Sequence, residues 1–278
     1  MPSPATRALV DYLNAQIDQI VSGDAELRQS RGSDPDSIHD TRVAARRLRS
    51  TMRVFQKSFD GPNIADLDGE LKWFAGLLGE VRDCQVQRDR FNHALDRMPD
   101  ELVLGPVRAR IRTELQEIER PARACLKEAM ESDRHQAMLS VLRGWRDEPP
   151  VDQDIATKTL LKRARRAARK ADRRLAAALR SDDDAMLHRA RKAAKRARYA
   201  AELCKPVDKE AKRTIKHYKQ IQSLLGDHQD TVVATEALRQ MAVAAGTTLG
   251  ENGFSYGMLY AREQQIARQC REDVLALV

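Results

Sequence analysis

An internal repeat constrains the fold of this chain more than any other feature of its sequence. The segment IHDTRVAARRLR at residues 38–49 aligns without a gap with LHRARKAAKRAR at residues 187–198. A second pair follows in the same order, LLGEVRD at 77–83 and LLGDHQD at 224–230, and Lys72 stands opposite Lys219. Two matches in one order and at similar separation predict a duplicated structural unit.

Nearly the whole sequence has the periodicity of amphipathic helices. Apolar residues make up 42% of it and aromatic residues only 4%, and it lacks the β-branched runs typical of strands. Glycine, proline and aspartate clusters divide the pattern into eight long segments. Four lie on either side of Pro149 and Pro150, which cannot continue a helix. We therefore predict an all-α chain with a first repeat at 1–148, a linker at 149–154 and a second repeat at 155–278.

Positive charge is concentrated in one region of the chain. The formal net charge is +8, but residues 155–200 hold 16 Lys and Arg against 4 Asp, which leaves 33 basic and 37 acidic residues elsewhere. A merely solvated helix face normally mixes both signs. The asymmetry indicates an anionic partner.

Each copy of the first motif places its basic residues on one face of a helix. At 100° per residue, the first set falls within a sector about 80° wide, beside an apolar face that includes Leu48 and Met52. The first line is His39, Arg42, Arg46, Arg49 and Arg53, and the second is His188, Arg191, Lys195 and Arg198. We expect both lines to face a groove that Lys72 and Lys219 can also reach.

The starts of these two helices bear on the histidines. Ser37 and Asp40 have the spacing of a capping box, which places His39 in the first turn, where unpaired backbone N–H groups favour anions. Asp184 is the predicted cap of the second motif helix, with His188 one turn further on.

The second motif carries a glycine and an aspartate in each half. Gly79 and Gly226 lie in helix interiors, where glycine costs roughly 1 kcal/mol relative to alanine, so we expect a neighbouring helix to approach closely there. Asp83 and Asp230 share a face with these glycines. Two interpretations stay open for them: each aspartate orients an arginine of the line, or each belongs to a plain packing seam.

The helix before the second motif has a longer basic line. Its members are Lys158, Lys162, Arg165, Arg166, Arg169 and Arg173. Like charges at i and i+4 repel, so an anionic ligand would offset the cost of this line. The matching helix in the first half has Asp11, Asn14 and Asp18 at the corresponding positions. We therefore expect the second half to bind anions more strongly.

The length and composition of the lines indicate the class of anion. Each line extends roughly 15–23 Å at about 1.5 Å per residue, which suits a phosphate polymer better than a small ligand. One arginine can donate hydrogen bonds to two phosphate oxygens at once, and lysine supplies a mobile point charge. Single-stranded nucleic acid would normally add aromatic stacking platforms, but only Tyr199 stands beside a line. Contacts to the backbone of duplex nucleic acid remain open.

We expect neither a metal nor a catalytic centre. His39 and His188 have no second His, Cys or carboxylate at i+3 or i+4, so anion contact or hydrogen bonding in the groove is the favoured role for both. A phosphate-cradling glycine loop and an obvious pair of nucleophile and base are absent from the sequence. No cofactor is expected.

These motifs resemble the CHAD family, the conserved histidine α-helical domain. The resemblance rests on His39-x-x-Arg42-x-x-x-Arg46-Arg47-x-Arg49, on Leu77-Leu78-Gly79-x-x-Arg82-Asp83, and on the repeat of both. It implies two four-helix bundles, related by a pseudo-two-fold axis around a basic central groove or pore that binds inorganic polyphosphate. By match, the pore-facing residues would be His39, Arg42, Arg46, Arg49, His188, Arg191, Lys195 and Arg198. Lys195 departs from the family's arginine, and His228-Gln229 from its Val-Arg pair.

The expected function is therefore non-catalytic binding of inorganic polyphosphate. The alternatives are binding of a nucleic-acid backbone and, in a different class, an enzyme that metabolises polyphosphate. Other phosphate polymers are further candidate partners, and a membrane is not. The sequence has no stretch of eighteen apolar residues and no signal peptide, so we expect a cytoplasmic protein that could be recruited to polyphosphate granules.

Overall fold

The computed structural model describes residues 1–30, 34–61, 64–181 and 183–277, and it confirms the all-α class. Within these ranges the chain forms nine α-helices, two short 3₁₀ turns and one isolated bridge between Phe59 and Val151. The helices are α1 (Pro4–Gln29), α2 (Pro35–Val54), α3 (Ile64–Leu95), α4 (Val107–Glu131), α5 (Asp133–Asp147), α6 (Thr157–Leu179), α7 (Asp184–Cys204), α8 (Ala211–Gly246) and α9 (Phe254–Leu275). None of the described helices has the length and apolar content that a membrane crossing requires.

The prediction of four helices before the linker was wrong, because its last segment is divided into α4 and α5. Ser132 has extended backbone angles (φ −76°, ψ 151°), which end α4. Its hydroxyl accepts a hydrogen bond from the backbone N–H of His135, and Asp133 follows in the first turn of α5. A serine cap followed by an acidic residue is a helix start. The uninterrupted apolar periodicity across this point concealed it.

Three apolar clusters hold the helices together, and two of them combine residues from both sides of 149–154. The largest joins α1 to α5 and also includes Leu160 of α6 and Leu203 and Cys204 of α7. A second lies where the end of α3 and the start of α4 meet the end of α8 and the start of α9. The third belongs to α6, α7, α8 and the end of α9. The two predicted repeats therefore share apolar packing.

The segment predicted as a linker is fastened to the first half. Asp60 donates its backbone N–H to the carbonyl of Pro150 at 3.0 Å, and Asp152 donates to Ser58 at 3.1 Å. The hydroxyl of Thr6 in α1 donates to the carbonyl of Asp152 at 3.1 Å. These bonds fix the place at which α6 begins.

The two helices that carry the repeated first motif, α2 and α7, pack against each other. Helix α2 also lies close to α1, since a Cβ on Gly23 would stand only 1.9 Å from Oγ1 of Thr41. Helix α6 packs along α7 and touches α2. This arrangement brings the basic faces of α2, α6 and α7 to one side of the molecule.

Candidate anion-binding cleft

The N-caps of α2 and α7 lie earlier in the chain than predicted, by three residues in α2 and by one in α7. Asp34 caps α2 and accepts hydrogen bonds from the backbone N–H groups of Asp36 and Ser37, so the predicted capping box is wrong. Asp183, not Asp184, caps α7. Each motif histidine is therefore the fifth residue of its helix, just beyond the four unpaired N–H groups. The histidines do not share in an anion site made by a helix N-terminus.

The lines on α2 and α7 meet in one group of cations, the central cluster. Its members are Arg42 and Arg46 of α2 and Arg191, Lys195 and Arg198 of α7. Burial and then Arg46 and Arg191 lower the pKa of Lys195 from 10.5 to about 6. Burial and then Arg42 lower the pKa of Arg46. The two predicted lines therefore act on one another as parts of a single site.

The motif glycines make room for the first arginine of each line. A Cβ on Gly79 would stand 3.0 Å from Nη2 of Arg42, and a Cβ on Gly226 would stand 3.1 Å from Nη2 of Arg191. The atoms nearest to these glycines are therefore those of an arginine side chain, and not the backbone of a neighbouring helix as expected. The contact is the same in both halves.

The motif aspartates differ between the halves. Asp83 accepts a hydrogen bond from Nη1 of Arg42 at 3.1 Å, which is the orienting role considered for it. Asp230 lies near Arg191 and Arg90, but burial has the larger effect and raises the pKa of its carboxyl group. The structure describes no ion pair of Asp230 within 4.0 Å. Only the first-half aspartate orients an arginine of the line.

A cavity of about 300 Å³ opens beside the central cluster, between α2, α3 and α7. Its lining is Arg46, Arg49, Ser50, Arg53, Lys72, Lys192, Lys195, Arg196 and Tyr199. Lys72 of α3 therefore lies in the same cavity as Arg46 of α2 and Lys195 of α7. Lys219 is exposed on α8 and lines neither this cavity nor the next one.

A larger cavity of about 800 Å³ adjoins the first between α2, α6 and α7, and both share Arg53 and Arg196. Its lining is Arg53, Val54, Gln56, Lys57, Thr159, Lys162, Arg163, Arg166, Ala167, Lys170, Ala193 and Arg196. We call the two cavities together the basic cleft. Each lining contains seven Lys and Arg side chains and no carboxylate.

The predicted α6 line is divided by the cleft. Lys162 and Arg166 line it, whereas Lys158, Arg165, Arg169 and Arg173 are exposed outside the lining. Other basic residues of the lining were not predicted. They are Lys57 after the end of α2, Arg163 and Lys170 in the neighbouring sector of α6, and Lys192 and Arg196 of α7. Arg174 and then burial lower the pKa of Lys170, and burial and then Arg53 lower that of Arg196. These shifts show that Lys170 and Arg196 belong to the same crowded set of cations.

Carboxylates neutralise some members of the lines and leave others unpaired. Asp68 of α3 accepts two hydrogen bonds from Arg53, at 2.9 and 2.5 Å, and pairs with Nε of Arg49 at 3.3 Å. Glu202 pairs with Nε of Arg198 at 3.2 Å. Arg46, Arg191, Lys195 and Arg196 take part in none of the ion pairs between described residues. The charges of the three arginines, Arg46, Arg191 and Arg196, are therefore available to a ligand.

Tyr199 is enclosed by its own arginines. Its ring is 5% exposed, and the guanidinium carbons of Arg47 and Arg198 lie 5.4 and 4.9 Å from its centroid. Glu202 holds Arg47 at 3.3 Å and accepts a hydrogen bond from the hydroxyl of Tyr12. The tyrosine supports the cleft wall and offers no open face for stacking.

The two motif histidines lie at the edge of the central cluster, where burial and nearby cations favour the uncharged imidazole. Burial and then Arg82 lower the pKa of His39, and burial and then Lys192 lower that of His188. Nδ1 of His188 is buried without a hydrogen-bond partner among the described residues. In the same part of the chain, no three His, Cys, Asp or Glu side chains are grouped as a metal site would require.

Solved structures with the same fold include two that cover nearly the whole chain. PptA from Streptomyces chartreusis superposes with a TM-score of 0.80 and 24% identity, covering 100% of this chain and 99% of its own. The CHAD domain from the plant Ricinus communis superposes with a TM-score of 0.73 and 24% identity, covering 98% and 92%. The helical fold is therefore shared with these proteins.

Sequence comparison gives a family match and two curated relatives. Residues 11–239 match the CHAD domain family. The uncharacterized proteins MT2285 and Rv2226 of Mycobacterium tuberculosis, from strains CDC 1551 / Oshkosh and ATCC 25618 / H37Rv, are each 34% identical over 290 residues, which covers 99% of this chain. The chain spans about half the length of these relatives, 53% of each. With its repeated motifs, its fold and a match over most of its length, the chain belongs to the CHAD domain family.

Proposed function

We propose that this chain binds inorganic polyphosphate in the basic cleft and does not cleave it. The observation that carries the proposal is the lining of the cleft, in which Lys and Arg side chains from both halves meet without a carboxylate. Confined cations with few counter-ions raise the local concentration of anions and strengthen each contact with them.

The shape of the cleft supports a polymer as the ligand. Two cavities of about 300 and 800 Å³ adjoin at Arg53 and Arg196, so one flexible chain could lie across both. Polyphosphate carries negative charge along its whole length and needs no fixed register. The resemblance of the motifs to those of other CHAD proteins implies inorganic polyphosphate as the ligand.

The state of Tyr199 favours polyphosphate over single-stranded nucleic acid. Proteins that bind single strands stack bases on open aromatic faces. Here Arg47 and Arg198 lie close to the ring, and it is almost fully buried. A nucleic acid would gain only backbone contacts in this cleft.

The proposal is tested by measuring binding of end-labelled polyphosphate and its competition with RNA and DNA at fixed salt. We expect polyphosphate to displace both nucleic acids, and affinity to fall as salt rises because counterions are released on binding. Replacing Arg46 and Arg191 by Gln should weaken binding by about tenfold for each charge removed, since a hydrogen bond to a charged group contributes roughly 1.5 kcal/mol or more.

Arg112 and Arg268 give a matched control for this variant. They lie on α4 and α9, are exposed and are outside the cleft lining, so their replacement by Gln removes the same charge elsewhere. We expect the control to bind like the unmodified protein, and no orthophosphate to be released on prolonged incubation. Equal loss in both variants, or RNA binding as tight as polyphosphate binding, would refute the proposal. Release of orthophosphate would refute its non-catalytic part.

A further inference from the structure

Lys195 is the lysine of the central cluster, and it lines the smaller cavity of the basic cleft. Arg191 and Arg198 flank it one turn away on α7, and Arg42 and Arg46 face it from α2. The charged and titratable groups around it also include His188 of α7 and, in the lining of the same cavity, Arg49 and Arg53 of α2, Lys72 of α3, and Lys192 and Arg196 of α7.

The carboxylates nearby are engaged with other cations. Asp83 holds Arg42, Asp68 holds Arg49 and Arg53, and Glu202 holds Arg47 and Arg198. The structure describes no ion pair for Lys195. Without a ligand, an ammonium at this position is surrounded by like charge and partly removed from water.

In the central cluster, Lys195 is the residue that can readily relieve the repulsion, because it can lose its proton. A guanidinium keeps its proton under all ordinary conditions, whereas a lysine in such surroundings loses its own. The pKa of Lys195, lowered to about 6 by burial and by Arg46, agrees with this. A phosphate chain in the cleft reverses the balance, because its negative charge stabilises the ammonium.

We propose that binding of a polyanion in the basic cleft is coupled to the uptake of one proton by Lys195. The coupling rests on the proposed function, since the anion supplies the charge that retains the proton. The ε-amino nitrogen takes the proton from solvent and donates it in a hydrogen bond to a phosphate oxygen. Affinity therefore depends on pH through the protein as well as on salt.

The sign of this dependence follows from linkage. The complex holds one proton more than the unliganded protein, so affinity falls as pH rises, by up to about tenfold per pH unit above the free-state value of about 6. The second ionisation of terminal phosphates, near pH 6, adds negative charge as pH rises and acts in the opposite direction. A fall in affinity therefore has to come from the protein.

Calorimetric titration with polyphosphate at pH 7.5, in two buffers of different ionisation enthalpy, measures the number of protons taken up. We expect about one more proton for the unmodified protein than for Lys195→Arg, whose guanidinium stays charged throughout. Lys195→Gln mimics the uncharged amine. It should bind more weakly than Lys195→Arg and lack the coupling.

The outcomes separate this proposal from the one on which it rests. Failure of the unmodified protein to bind end-labelled polyphosphate would overturn polyphosphate binding and the coupling together. Binding with the same proton uptake in Lys195→Arg and in the unmodified protein would overturn the coupling alone. A series of affinity measurements on the unmodified protein between pH 7 and 8.5 does not depend on how the variants fold. If affinity does not fall across this range, the coupling is likewise overturned.

Discussion

The guanidinium of Arg191 occupies the space that a side chain on Gly226 would need, since a Cβ there would stand 3.1 Å from Nη2. Gly226→Ala should therefore displace Arg191 and weaken polyphosphate binding severalfold. The helix itself should gain, because alanine is favoured over glycine in a helix interior by about 1 kcal/mol. Binding assays and thermal unfolding on one sample measure both effects.

Gly76→Ala is the matched control for this substitution. Gly76 lies in α3, and a Cβ there would meet nothing within 4 Å. The control should raise the melting temperature without changing affinity. If Gly226→Ala also leaves affinity unchanged, the position of Arg191 does not matter for binding.

We expect Asp68 to lower the affinity of the cleft for polyphosphate. It holds Arg49 and Arg53, and Arg53 lies where the two cavities adjoin. Asp68→Asn should remove the counter-charge of both arginines and tighten polyphosphate binding severalfold, with some loss of stability in denaturant titrations. Asp66→Asn removes the same charge from the exposed first turn of α3 and should tighten binding less. Equal affinities of the two variants would show that only net charge matters.

Residues of α6 inside and outside the cleft provide a test of its boundary. Replacing Lys162 and Arg166 by Gln should weaken binding by tenfold or more, since both line the larger cavity. Replacing Arg165 and Arg169 by Gln removes the same charge from the same helix, outside the lining, and should have a much smaller effect. Gln preserves helix propensity in both pairs, which circular dichroism would verify. Equal losses of affinity would mean that the charges of α6 attract the polyanion through their summed field and not through contacts in the cleft.

Lys195 should destabilise the unliganded protein. Its pKa falls from 10.5 in the unfolded chain to about 6 on folding, so the unfolded state holds more protons between these values. Stability should therefore rise with pH across that window. Lys195→Met should melt at a higher temperature than the unmodified protein at pH 7, with the difference shrinking by pH 9. The exposed Lys192→Met on the same helix should give no such gain.

The all-α class and most of the cleft could be predicted from sequence because they follow from periodicity and repetition. The lines on α2 and α7 both reach the site. The glycines at positions 79 and 226, expected to admit a neighbouring helix, instead make room for an arginine side chain. Their meeting in one cluster could not be derived from the residues alone. It depends on the packing of α2 against α7, which is a tertiary contact.

Half of the basic α6 residues that line the cleft were not predicted, because these residues extend beyond one sector of the helix. Arg163 and Lys170 are offset from the predicted line and lie nearer the apolar face, where the cleft forms. A search along the border between the apolar and polar faces would have found them. The role of Asp68 had no local signal, since its partners lie on another helix. That the second half binds anions more strongly stays a prediction.

Arg46 and Lys195 are the same position of the repeat, and in the folded chain each is within electrostatic reach of the other. In a dimer of identical chains, equivalent positions must carry the same residue, so both would keep their charge or both could lose it. A tandem chain encodes them separately. Joining the copies has therefore allowed one member of the pair to hold a permanent charge while the other exchanges its proton with solvent.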